Sequence, residues 1–115
     1  MLKVMRPIEK YTNEIPQEIR QLIAALDNPI RQAILVLLSE CGELSFTEIQ
    51  KTLNLDKLTL NFHLKKLFSS ALIDHYFKHK LGNPTYSFYC ITPLGKRVLA
   101  SLNEALMPPT DKKIS

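Results

Sequence analysis

Residues 45–67, SFTEIQKTLNLDKLTLNFHLKKL, constrain the fold more than any other stretch, because they fix two helix starts and the gap between them. Glu48 follows Ser45 at the spacing of a capping box. The Ser45 hydroxyl can accept from the backbone N–H of residue 48, and the Glu48 carboxylate can reach back to the N–H of Ser45. Leu44 and Ile49 fall at the two staple positions around that box. The helix so begun runs to about Leu53. Asn54, Leu55 and Asp56 form a short connection, and Asp56 is the natural cap of a second helix, 57 to about 70.

That second helix has too many apolar residues for one buried face. At about 100° per residue, with Leu60 as the origin, Leu64 and Leu67 lie within about 40° of it. Leu58 then falls near ~160°, Phe62 near ~200°, Lys65 near ~140°, Asn61 near ~100° and Ser69 near ~180°. The outward face is Leu58, Asn61, Phe62, Lys65 and Ser69, flanked by Lys57, Thr59 and Lys66. An outward Leu and Phe have three readings: contact with a ligand, cover by a partner or by the chain's own arm, or a helix phase displaced by one residue.

The rest of the chain builds around this pair. Residues 1–15 show no clean period and are expected to form an irregular arm. PQEIRQLIAAL places Ile19, Leu22, Ile23 and Leu26 on one helical stripe, with Pro16 suited to a first turn. In DNPIRQAILVLLSECG, Asn28 is a good cap and Pro29 a good first residue. Ala33 to Leu38 are apolar nearly all round, as for a helix at the centre of a core, and Gly42 ends it. After residue 72 the period becomes two. IDHYFKHK and TYSFYCI, split by the turn cluster LGNP, predict a two-stranded hairpin whose tip carries Lys78, His79, Lys80 and Asn83. Thr92 and Pro93 start a last amphipathic helix with Leu94, Val98, Leu99, Leu102 and Leu106 on one side. MPPTDKKIS is a polar, Pro-broken tail, expected to be disordered.

Composition excludes several classes. The chain has 115 residues, 45% of them hydrophobic, enough for one domain with a core. No apolar run reaches the roughly 18 residues that span a bilayer. MLKVMRPIEKY lacks the apolar block of a secretory signal, so a cytoplasmic location is expected. Cys41 and Cys90 are read as reduced, packed thiols, with a disulfide or redox role as the alternative. No Cys/His cluster has metal-ligand spacing. His75 and His79 alternate on one strand face but have no evident third ligand, and His63 lies at the edge of the buried face. No nucleophile motif or Gly-rich phosphate loop is present, so neither catalysis nor a cofactor is expected. The charge of +4 is unevenly placed: residues 45–90 hold six basic and three acidic side chains, against five and six in residues 1–44. The positive excess begins at the helix pair, which suits a polyanionic partner.

Three helices, a turn, a basic helix, a hairpin and a further helix are the layout of a winged helix-turn-helix, mainly α with a small antiparallel hairpin. LDNPIRQAILVLL, GELSFTEIQKTLNLDKLTLNFHLKKL and ALID, with ITPLGK after the hairpin, resemble winged-helix transcriptional regulators of the ArsR and MarR-like type, from about Leu26 to Leu106. The resemblance implies a DNA-binding regulator, usually a homodimer, in one domain over 16–106 whose terminal helices can serve dimerisation. It points to double-stranded DNA as partner. Helix 57–70 would lie in the major groove and wing 74–90 on the flanking backbone or minor groove. Asn61 suits bidentate reading of adenine, Leu58 or Phe62 can meet a thymine methyl, and Lys57, Lys65 and Lys66, with Thr59 beside them, supply the phosphate side. Lys78, Lys80 and Asn83 are the wing candidates. A protein-interaction module anchored by Leu58 and Phe62 is the alternative.

Three departures from the pattern matter. Metal-sensing members carry two Cys where this chain has Ser45 and Thr47, so that thiolate site is missing. The family often has Gly where Ala71 stands. It also usually places small polar residues and Arg where Leu58 and Phe62 stand.

Overall fold

The computed structural model describes residues 7–79 and 85–106. The chain runs α1 (Pro7–Thr12), α2 (Gln17–Leu26), α3 (Pro29–Cys41), β1 (Glu43–Ser45), α4 (Phe46–Leu53), α5 (Lys57–Ser69), β2 (Ile73–His79), β3 (Thr85–Ile91) and α6 (Pro93–Leu106). The side-chain caps of α3, α4 and α5 are made, whereas Pro16 before α2 forms none. The Asn28 side chain accepts from the N–H groups of Ile30 and Arg31 at 2.8 and 3.1 Å. Ser45 and Glu48 close their box reciprocally, at 3.1 Å to the Ser45 hydroxyl and 2.8 Å to the Glu48 carboxylate. Asp56 accepts from the Thr59 N–H at 3.0 Å.

The joint between α4 and α5 is set by a left-handed residue. Asn54 has φ 53°, and behind it Leu55 N–H reaches the Gln50 carbonyl at 3.1 Å. Asn tolerates this region better than most residues do, because its short polar side chain bonds locally. The end of α5 repeats the device with a worse residue. Ala71 has φ 64°; its N–H bonds the Phe68 carbonyl at 3.0 Å, and the Leu72 N–H bonds the Leu67 carbonyl at 3.1 Å. This is a Schellman closure with a Cβ in the left-handed region. Ala71→Gly is therefore expected to raise unfolding stability by about 1 kcal/mol in urea titration. No gain would mean that the added freedom of the unfolded glycine chain offsets the relieved strain.

Three expectations change. Residues 7–12 form a short helix rather than an irregular arm. The hairpin is part of a three-stranded sheet of order β1-β3-β2, because Glu43–Ser45 pairs antiparallel with Phe88–Cys90. A three-residue strand just before a helix cap carries no period of its own, so only the pairing partner reveals it. The third change is that α3 buries one side rather than all of itself. Ile34, Leu35 and Leu38 are fully enclosed, while Val36 is exposed. Residues 107–115 lie outside the described residues.

The core lies between α3, α4, α5 and one face of the sheet. It contains Ile34, Leu35, Leu38, Ile49, Leu60, Leu64, Leu67, Leu72, Ile73, Tyr89 and Ile91. The apolar stripe of α2 joins it only in part: Leu22 and Leu26 pack against it and Ala25 is buried, whereas Ile19 and Ile23 are exposed. On α6, Leu94, Val98 and Leu99 pack against the core, whereas Leu102 is exposed.

Candidate nucleic-acid interface

Helix α5 is seated by three leucines, as its spacing requires. Leu60 and Leu67 are fully buried and Leu64 is 2% exposed, whereas Leu58 is 82% and Phe62 53% exposed. The helix phase is therefore correct, and the apolar pair faces outward. Lys57, Asn61, Lys65 and Lys66 are also exposed. Lys66 Nζ lies 5.5 Å from the centre of the Phe62 ring, close enough for a cation–π contact. The ring thus sits beside a positive charge rather than in a fully apolar patch.

Thr59 is placed differently from its neighbours. Its hydroxyl donates to the Asp56 carboxylate at 2.6 Å, so its proton is engaged in the cap. The same hydroxyl, and then the Thr59 N–H, hold the Asp56 carboxyl below the usual carboxylate range. The helix start consequently carries a fixed negative charge next to Lys57.

His63 is a correction. The sequence puts it at the edge of the buried face, bonding locally or to phosphate; in the fold it is buried and faces Arg31 of α3. Arg31 Nη1 and His63 Nδ1 are 2.9 Å apart. Arginine can only donate, so Nδ1 accepts and the ring proton sits on Nε2. Burial, and then the Arg31 charge, lower the His63 pKa from its ordinary value. The same guanidinium donates to the Ala25 carbonyl at 2.6 Å and to the Ala24 carbonyl at 3.3 Å. Arg31 therefore ties the end of α2 to the back of α5.

On the wing, Lys78 belongs to β2 and is already engaged. It pairs with Glu43 of β1 at 2.6 Å, passing 4.8 Å from the Phe88 ring of the central strand. The hydrogen bond from Lys78 holds the Glu43 carboxyl below its usual range. Tyr76 shares Glu43, and desolvation followed by that bond pushes its hydroxyl up to about 12. Lys78 thus braces the sheet across its outer face. Lys80 and Asn83 lie outside the described residues.

One side chain that the sequence reading passed over belongs to this face. Phe68 is exposed and borders a cleft of about 210 Å³ between α5 and the wing, together with Asn61, Lys65 and His75. His75 is stacked on Tyr89, with ring centroids 4.5 Å apart, and is not presented as a metal ligand. On the helical wheel Phe68 falls beside Asn61, a signal that was available. Among the described residues no group of three or more His, Cys, Asp or Glu could hold a metal. Cys41 is exposed and Cys90 half-buried, so the expectation of two packed thiols fails for Cys41; both are free. Burial, then the Asp74 and Glu43 carboxylates, raise the Cys90 pKa and keep it a thiol, a poor nucleophile for redox exchange.

An outward helix seated by leucines, behind a capped bracing helix and beside a three-stranded wing, is the geometry that known proteins can be compared with. Residues 28–74 match the bacterial regulatory protein family arsR. Together with the fold, this match supports a winged-helix regulator of the ArsR type. An uncharacterized protein of Methanocaldococcus jannaschii is 35% identical over 78 residues, covering 68% of this chain; the chain spans 65% of that relative's length. The transcriptional regulator homologue protein of Pyrococcus horikoshii superposes with TM-score 0.61 at 27% identity, over 79% of this chain and 95% of that one. Reduced HlyU from Vibrio cholerae gives TM-score 0.64 at 23% identity, over 90% and 100%, a likeness of fold. The ArsR type is a class of DNA-binding transcriptional regulators, not of enzymes. Where metal-sensing members of that type carry cysteines, this chain holds Ser45, which caps α4, and Thr47, which is exposed. Among the described residues no single helix is long and apolar enough to cross a membrane.

Proposed function

We propose that this chain is a sequence-specific regulator of transcription of the ArsR type that binds double-stranded DNA as a homodimer in the cytoplasm. In this reading α5 enters the major groove and the β2–β3 wing meets the flanking backbone or minor groove. The outward face of α5 carries the proposal. A helix about 10–12 Å across fits a groove about 12 Å wide. Lys57, Lys65 and Lys66 supply phosphate contacts. Asn61 has the paired donor and acceptor that adenine requires, and Leu58 and Phe62 are suited to thymine methyl groups.

The exposed apolar side chains of the terminal helices support pairing. Ile8 and Tyr11 on α1, Ile19 and Ile23 on α2 and Leu102 on α6 are uncovered in the single chain. A two-fold dimer would set its recognition helices about 34 Å apart, one turn of DNA, and favour a palindromic site.

Binding to duplex DNA measured against salt tests this reading. The log–log salt slope should be steep, and the Lys65→Ala/Lys66→Ala pair should lower it by about 2 while weakening binding to all sequences. Asn61→Ala should instead relax preference at one base pair, by about 1–3 kcal/mol. Specific binding that does not change with salt would refute the phosphate contacts.

The exposure of Leu58 and Phe62 also favours a second reading, a protein-interaction module. It predicts no DNA affinity even at low salt, and a partner whose binding is lost in Phe62→Ala.

A further inference from the structure

A cavity of about 360 Å³ lies between α2 and the last turn of α5. It borders the recognition helix on the side away from the wing. Its walls include Gln21 and Ala24 from α2, Arg31 from α3, and Lys66, Ser69 and Ser70 from α5. None of the lining residues is acidic. Four of the lining residues, Gln21, Arg31, Lys66 and Ser69, carry donors. Arg31 engages three acceptors, the Ala24 and Ala25 carbonyls and His63, so two of the five N–H groups of its guanidinium stand outside these bonds. Lys66 has its ammonium near the Phe62 ring and pairs with no carboxylate among the described residues. The Gln21 amide and the Ser69 hydroxyl form no hydrogen bond among the described residues. Ser70 is different: its hydroxyl is committed to the carbonyls of Lys66 and Leu67, at 3.1 and 3.0 Å.

We propose that this cavity binds a small organic anion, a carboxylate or phosphate monoester, and that its occupation weakens DNA binding. Two cations and two neutral donors without an opposing carboxylate are the chemistry of an anion site. The volume, in the lower part of the usual range for ligand pockets, suits a compact metabolite. The binding step stands independently of DNA. The regulatory step rests on the reading above: an anion beside Lys66 cancels positive charge on the face offered to phosphates. It also draws on the guanidinium that holds His63 at the back of α5. A DNA phosphate has the same chemistry as the proposed ligand, so the experiment must separate the two sources.

Inorganic phosphate, succinate and phosphoglycolate are titrated into the DNA-free protein at fixed ionic strength, and amide NMR shifts are followed. Saturable shifts at Ala24, Ser69 and Ser70 are expected with at least one organic anion. Gln21→Leu should weaken that binding about ten-fold, and Ala24→Met should fill the cavity and abolish it. Both substitutions lie outside the DNA face and should leave DNA affinity in the absence of anion unchanged. Saturating anion should lower the DNA affinity of the parent by about ten-fold and leave that of Ala24→Met unaltered. Shifts that sodium chloride reproduces, or no saturation with any probe, would overturn the site. Loss of DNA affinity in Gln21→Leu without anion binding would assign the cavity to a backbone phosphate and overturn the proposal. Anion binding that leaves DNA affinity unchanged would refute the regulatory step alone.

Discussion

Gly95→Ala is expected to destabilise the fold by about 3 kcal/mol, at the upper end of what overpacking costs. In an exposed helix the same change would stabilise by about 1 kcal/mol, because Ala is the better helix former. Here a Cβ would meet the Leu72 carbonyl oxygen, and it would stand 2.6 Å from Ile91 Cγ1. The helix cannot drift away to make room. Thr92 pins its start: the Thr92 hydroxyl donates to the Ala71 carbonyl at 2.8 Å and accepts from the Gly95 N–H at 2.9 Å, while the Thr92 N–H bonds the Leu72 carbonyl at 3.1 Å. Urea unfolding followed by circular dichroism checks the sign. A variant as stable as the parent would show that α6 is less firmly docked than these bonds indicate.

Arg31→Met is expected to cost about 3 kcal/mol, because it leaves two carbonyls and the His63 ring nitrogen without a donor. That corresponds to a fall in melting temperature of roughly 10 °C for a chain of this size. A second signature separates this role from simple packing. His63 has a lowered pKa in the fold, so below its ordinary value of 6.5 the unfolded chain binds a proton that the native chain refuses. Stability should therefore be full above that value and decline as pH falls below it. With Arg31 gone, one cause of the lowering disappears. The decline should shrink in Arg31→Met, though burial, the larger cause, remains. Equal acid sensitivity in parent and variant would mean that Arg31 does not govern the His63 proton. Because His63 lies on α5, the helix proposed to enter the major groove, the DNA affinity of folded Arg31→Met should also fall.

The features legible in the sequence are those whose partners lie within one helical turn. Asn28, Ser45–Glu48, Asp56 and Thr92 each satisfy N–H groups two or three residues away, so residue type and spacing specify them before any packing exists. The same holds for the seat of α5. Leu60, Leu64 and Leu67 share a face by helical period, and the outward placing of Leu58 and Phe62 follows once that face is buried. These local facts were enough to define the helix pair, its wing and the side of α5 that stays open.

Only the tertiary structure decided what depends on partners far along the chain. Glu43–Ser45 becomes a strand because Phe88–Cys90 offers it a ladder, and Lys78 is drawn from the wing face by Glu43, 35 residues earlier in number. Arg31 and His63 lie 32 residues apart, and the sequence gives the edge histidine no such partner; packing makes them one buried contact. The intolerance at Gly95 arises chiefly from the Leu72 carbonyl, which no local pattern relates to it. The stripe of α2 is divided for the same reason, with Leu22 and Leu26 against the core and Ile19 and Ile23 exposed. A period of apolar residues says that one face of a helix prefers to leave water, but which surface covers that face is fixed only by where the other elements stand.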